Sequence, residues 1–287
     1  MAPPPPTSLP LTERLQRLAT TLQFGWFIGH ATLLFAVFRY GMSYITFNYY
    51  SRWAQISYRL AFLSAVATYG IVVYKAYRSR FKAGTKPQAV AFQLLADENV
   101  QYLLISLVWL YSRQTPLALL PFTVYSVFHV ATYTRTNLIP TISPPKATAG
   151  ATPTSPGTPK SQSALANSIG KFVKDYYDAS MMLVAGLEIL LWIRLLMSAI
   201  TFSRGSWVLL GVYTVFLRAR FTQSHFVQNA FQQGAAHIDQ QVQNPNIPPA
   251  VRSGWESVKG VSKTAVDATN PGKYMGGQPG GAAKKAQ

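Results

Sequence analysis

Few residues in this chain have the type and spacing that chemistry needs. It has four histidines, His30, His129, His225 and His237, and no cysteine. His30 and His129 fall inside apolar stretches. A histidine from each of two helices can ligate a haem iron, but nothing else in the sequence supports a haem. Hydrogen bonding within a helix bundle is the simpler use of both. The lack of cysteine excludes disulfides, thiolate catalysis, S-palmitoylation and cysteine-ligated metals. No HExxH, GxSxG or phosphate-loop pattern occurs. The acidic pair Asp97-Glu98 stands just before an apolar run, where carboxylates suit the positive end of a helix dipole. Glu188 and Arg194 lie within an apolar run, where an ionisable side chain is expensive and usually faces protein or water. Six residues apart, they sit about 240° apart round a helix and do not pair with each other. Arg194 is near enough to one end to snorkel. Glu188 is left to pair with Arg59, in another apolar run, or to hold a proton. These three charges read as polar contacts between helices rather than as a proton relay. No catalytic residue, metal site or cofactor is expected.

The elements that position these residues are apolar helices. The chain has 287 residues, 49% hydrophobic and 12% charged, where a soluble domain carries about 25% charged residues. Its apolar residues are blocked into long runs, which predicts an all-α integral membrane protein. The net charge is +17. Most lysines and arginines sit between apolar runs, a pattern of a basic cytosolic side facing anionic lipids, not of nucleic-acid binding. The start, "MAPPPPTSLP", has no basic region followed by an apolar core, so no cleavable signal peptide is expected.

About six apolar helices follow in order. Residues 1–21 form a cytosolic lead whose segment 11–21 is a short amphipathic helix capped by Thr12. Residues 22–134 hold four membrane helices: 22–38, 53–74, and the antiparallel pair 99–112 and 116–133. Pro116 suits a helix start and Pro121 a kink. Residues 135–178 are expected to be a disordered basic cytosolic loop, because 139–165 are rich in Pro, Ser, Thr and Gly. Residues 179–220 form a hairpin whose return, 207–217, is short for a crossing of about 20 residues. It reads either as a full pair or as a shallow hairpin. Residues 221–287 are a cytosolic tail.

Charge sets the orientation. With a cytosolic N-terminus and six segments, 20 basic residues lie on the cytosolic side and four (Arg39, Arg52, Arg113, Arg204) on the other. That asymmetry places both termini in the cytosol. No Asn-X-Ser/Thr sequon occurs.

The tail and loop carry further signals. The chain ends "KKAQ", and Lys284 and Lys285 match the dilysine pattern that returns membrane proteins to the ER. Ser143, Thr152, Ser155 and Thr158 each precede proline, as sites for proline-directed kinases whose phosphates would turn the loop acidic. On a helical wheel Val251, Trp255, Val258, Ser262, Ala265 and Val266 fall within about 100°, with Val261 just outside. Arg252, Lys259 and Lys263 flank them. Such a helix is marginal alone and suited to fold on an anionic membrane surface, or else to dock on protein. Before it, 222–243 carries Phe226, Val227, Phe231, Ala235, Ile238 and Val242 on one stripe, a second amphipathic helix.

This order of pieces resembles the transmembrane protein 33 family. The likeness is carried by "DENVQYLL", "LALLPFTVYSVFHVATYTR", "FLRARFTQSHFVQNAF" and the amphipathic tail. It covers roughly 12–260 and contains no catalytic motif. The resemblance implies a non-enzymatic protein of the ER membrane and nuclear envelope. It further implies roles in ER tubule organisation and in nuclear pore distribution or assembly, with reticulon-type shaping proteins, nuclear pore components and a nuclear import receptor as partners. It also implies membrane binding by the C-terminal region, which would fall here on Val251, Trp255, Val258, Lys259, Val261, Lys263 and Val266. The import-receptor role fits less well, because the basic residues of this tail are scattered. An adaptor that tethers nuclear pore or ER-stress partners without bending membrane is the alternative; a transporter or lipid-modifying enzyme is a further one.

Overall fold

The computed structural model describes Pro6 and residues 9–82, 96–144 and 163–269, and every regular element among them is helical. Helix α1 (Leu11–Ala19) follows Pro10, so the helix takes in Thr12 instead of being capped by it. The Thr21 hydroxyl instead caps α2 (Leu22–Ile45), accepting from the Phe24 N–H at 3.1 Å. The two are bent by 80° at the break. Helix α3 (Arg52–Lys82) runs past the expected end of its apolar stretch and takes up the first of the basic residues beyond it. No proline or glycine stops it there, and arginine and lysine are good helix formers.

Helix α4 (Glu98–Tyr111) is capped by the Asp97 carboxylate, which accepts from the Asn99 N–H at 2.9 Å. Pro116 opens a 3-10 turn (Pro116–Ala118), which leads into α5 (Leu119–Tyr133), with Pro121 in its first turn. A π-helical turn (Thr134–Leu138) and a short helix α6 (Ile139–Ile142) extend the rod. Helix α7 (Ala164–Ile200) starts behind Ser163, whose hydroxyl accepts from the Ala166 N–H at 3.2 Å. The expected disordered loop 135–178 is therefore helical at both ends. The apolar run 138–142 still has a face to bury, and 164–178 carries good helix formers behind a serine cap. The rest of that loop, including Thr152, Ser155 and Thr158, lies outside the described residues, as do Lys284 and Lys285.

Gly205, at φ 78°, turns the chain into α8 (Ser206–Gln223), a left-handed conformation that glycine adopts without a Cβ clash. Helices α9 (His225–Val242) and α10 (Pro249–Ala268) complete the described chain. Contacts divide it into two units, one ending at Val227 and one beginning at Gln228.

In the first unit α2 packs on α3 and α5, α3 on α4, α4 on α8, α5 on α7, and α7 on α8. One face of α3 alternates small and large, with Ala54, Tyr58, Ala61, Phe62, Ala65 and Tyr69 all buried. That spacing lets neighbouring helices approach closely, as membrane bundles require. At Gly29 of α2 a Cβ would strike the Thr68 methyl of α3. Tyr102, Trp109, Phe122, Leu191, Leu195, Tyr213 and Phe216 complete the core.

Among the described residues three helical stretches are long and apolar enough to cross a membrane: Arg52–Ser79, Pro116–Ile142 and Ala164–Ile200; the bent α1–α2 pair makes a fourth if it counts as one span. All six expected apolar stretches are helical, but they are not six equal spans. At 14 residues α4 is about 21 Å long, short of the roughly 30 Å hydrocarbon core.

Candidate functional site

The charges in the first unit are placed by helix ends and a buried cluster. Arg59 leans from α3 to the last turn of α4. There its guanidinium donates to the Leu110 carbonyl and, at 3.2 Å, to that of Trp109. Those carbonyls have no partner within their own helix, and a cation suits the negative end of its dipole. The neighbouring Tyr58 hydroxyl accepts from the Thr115 N–H at 3.1 Å. Arg59 thus fastens the α4–α5 turn. It does not reach Glu188.

Glu188 meets Arg220 instead. Its side chain is 1% exposed, and the Arg220 Nε donates to its two oxygens at 3.1 and 3.4 Å. The Tyr102 hydroxyl donates to the same carboxylate. Arg220 Nη2 donates to the Tyr125 hydroxyl at 3.2 Å, and Nη1 stands 3.1 Å from Glu98 without hydrogen-bond alignment. The guanidinium also lies over the Tyr102 ring, 5.2 Å from its centre. From α8 the Tyr213 hydroxyl donates to the Glu188 backbone carbonyl at 3.2 Å. Four helices, α4, α5, α7 and α8, converge on this ion pair. Sequence reading placed Arg220 at the end of the hairpin 179–220, counted it with the cytosolic basic residues and gave it no partner. The missed signal is hairpin register: reflecting Glu188 through the turn at 202–205 puts it opposite the end of α8. Arg194, by contrast, is exposed on the outer face of α7.

The two intramembrane histidines do come together. Their rings are 4.6 Å apart, both touch Trp26, and His30 Nδ1 is 2.9 Å from the Ser126 hydroxyl. Rings in contact leave no room for a porphyrin plane between them. Among the described residues no three potential metal ligands cluster.

In the second unit α9 and α10 are tied through one carboxylate. Asp239 accepts from the Trp255 indole N–H at 2.6 Å and from Lys259 at 2.8 Å. Lys259 also pairs with Glu256 at 2.8 Å. Arg252 Nε donates to the Val242 carbonyl at 3.4 Å. The two bonds draw the Asp239 carboxyl below its ordinary range, and the two carboxylates raise Lys259. The expected apolar stripe is therefore split. Trp255, Lys259 and Val266 are partly covered, whereas Val251, Val258 and Val261 are exposed and Lys263 stands free in solvent. In the loop, Ser143 is exposed just past α6.

Long apolar helices, a buried polar clasp and an amphipathic helical hairpin after them define an all-helical integral membrane protein. The chain belongs to the transmembrane protein 33/nucleoporin POM33 family, whose model matches residues 8–267. It is 54% identical to the nucleoporin POM33 of Chaetomium thermophilum, over 96% of this chain and 97% of that one. It is 29% identical to the pore membrane protein of 33 kDa of Saccharomyces cerevisiae, over 87% and 85%. Tetra-spanning protein 1 of Schizosaccharomyces pombe is also 29% identical, over 87% and 86%. No solved structure matches the chain.

Proposed function

We propose that this chain is a non-enzymatic membrane protein of the nuclear envelope and the ER continuous with it, working at nuclear pores, where it shapes or stabilises curved membrane. One observation carries the location: near-full-length identity of 54% to a protein named as a nucleoporin. A second relative named as a pore membrane protein supports it. Both termini face the cytosol in this reading, as the basic-residue asymmetry supports. Lys284 and Lys285 would then serve ER retrieval, and Ser143, Thr152, Ser155 and Thr158 would be open to kinases.

The membrane action is assigned to α10. Val251, Val258 and Val261 are 51%, 54% and 70% exposed, and Lys263 lies beside them. A weakly apolar face flanked by cations suits shallow insertion among anionic headgroups. Inserted there, it takes up area in one leaflet only and favours bending. Reticulon-type proteins and pore components are the partners this reading predicts.

The second reading is an adaptor that holds nuclear pore or ER-stress partners, or an import receptor, without bending membrane. Asp239 favours it, because a Trp255 held to α9 has less surface to give a bilayer. Imaging the fluorescently tagged full chain beside its Val258→Glu/Val261→Glu variant separates the two. The membrane reading expects a nuclear rim and ER signal enriched at pores, with the enrichment lost in the variant. Unchanged enrichment in the variant favours the adaptor, and absence of the intact chain from the nuclear rim refutes both.

A further inference from the structure

We propose that Arg14 is the anion-binding residue of a phospholipid headgroup site formed where α1 packs on α6. Arg14 is 8% exposed, and its Nε and Nη1 are buried with no hydrogen-bond partner. A guanidinium does not deprotonate in a protein, and a buried unpaired charge is among the most costly arrangements a fold can hold. Arg14's own helix offers no relief. Glu13, the one carboxylate on α1, is engaged by Arg17 at 2.8 Å on the exposed side. The helix beneath, Ile139–Ile142, carries no charge, and its Thr141 hydroxyl already donates to the Asn137 carbonyl at 2.7 Å. The counter-charge must come from outside the described chain.

The position of α1 says what kind of anion arrives there. Bent by 80° from α2, α1 lies across the end of a long apolar helix. Leu11, Leu15 and Leu22 around it are 42%, 38% and 53% exposed. Exposed leucines beside a buried cation match a boundary with headgroups on one side and acyl chains on the other. An anion carrying its own hydrocarbon fits both halves. A phosphodiester, with one negative charge and several acceptor oxygens, neutralises one guanidinium through short charge-assisted hydrogen bonds. Free phosphate shares the anion chemistry and lacks the chains.

The inference rests on the membrane character of the chain and uses none of the tail residues. Its test is thermal melting of the full chain, purified in a neutral detergent and stripped of lipid. The additions are phosphatidylinositol, diacylglycerol with the same acyl chains, or inorganic phosphate. Phosphatidylinositol should raise the Tm of the intact chain and of Arg17→Gln, and the shift should vanish in Arg14→Met. Diacylglycerol and phosphate should leave the Tm where it was. Without lipid, Arg14→Met should melt no lower than the intact chain, since it removes an unpaired buried charge. The Trp255→Glu chain should keep the shift, which separates this site from the tail. An equal shift in Arg14→Met overturns the site. An equal shift from inorganic phosphate overturns the lipid as its occupant. Should Arg14→Met fail to fold, native mass spectrometry of Arg14→Lys decides: retained phospholipid equal to that of the intact chain overturns the proposal, and a lower occupancy supports it.

Discussion

Glu188 and Arg220 show what a buried ion pair does in a membrane bundle. Besides each other, Glu188 has the Tyr102 and Tyr213 hydroxyls and Arg220 has the Tyr125 hydroxyl, so the desolvation of both is offset only while both members are present. Removing one member leaves the other buried and unpaired, which typically costs about 3–5 kcal/mol. Arg220→Met should therefore lower the Tm of the detergent-purified chain strongly. Glu188→Gln keeps hydrogen bonding and leaves Arg220 beside Glu98, so its loss should be smaller, about 1–2 kcal/mol. A Tm for Arg220→Met equal to that of the intact chain would sink the idea that this pair holds α4, α7 and α8 together. Sequence alone marked Glu188 and Arg59 as charges in the wrong solvent, because hydropathy is a one-dimensional property. It did not pair them correctly, because pairing depends on hairpin register and on which face each helix turns inward. Arg59 was legible as a cation within an apolar run, but its partners are backbone carbonyls, which every residue has and no sequence pattern marks.

At the scale of the element, the tail helices were legible from periodicity, yet their division of labour was not. The wheel of α10 treats Trp255 and Val258 as one face, and Asp239 on α9 decides which part of that face is covered. The Asp239 carboxyl lies below its ordinary range because Lys259 and Trp255 donate to it. Stability contributed by a depressed carboxyl is present above its unfolded pKa and lost as pH falls through the depressed value. Lys259 is raised, so its share is full below the ordinary lysine range and fades only as pH rises through its raised value. The hairpin should hold across neutral pH and open in acid. Trp255 emission, taken as the difference between the full chain and its Trp255→Phe variant, should report that opening below the ordinary aspartate range. Asp239→Asn should show the open signal already at neutral pH. It should also bind anionic vesicles more readily, if the exposed valines and a freed Trp255 act on membrane. A pH-independent difference signal would mean that Asp239 does not set the position of α10.

Across the whole molecule, charge and length give two different accounts of topology that one experiment can bring together. Six apolar helices with a cytosolic N-terminus place the turns at 46–51, 112–115 and 201–205 on the far side. Burying Arg220 within the bundle leaves 19 basic residues on the cytosolic side against the same four, so the orientation argument keeps its force. Length argues differently. Among the described residues three helices, or four with the bent pair, are long and apolar enough to cross, and α4 falls short of the hydrocarbon thickness by about 9 Å. Such a helix reaches the far side only if the bilayer thins around it or its ends lie below the headgroups, and the mismatch costs energy that a thinned or curved membrane relieves. Glycosylation sites introduced through lengthened turns test both accounts, since the natural chain has no sequon. Acceptors in the turns at 46–51 and 201–205 should be modified in ER membranes, and acceptors in the N-terminal ten residues should not. Modification at 112–115 as well would mean that α4 crosses and that the bilayer adapts to it. Its absence there, with the other two modified, would mean that α4 and α5 form a re-entrant pair. Modification of the N-terminal acceptor would reverse the orientation and take the tail helices away from the cytosolic leaflet on which the proposed shaping role depends.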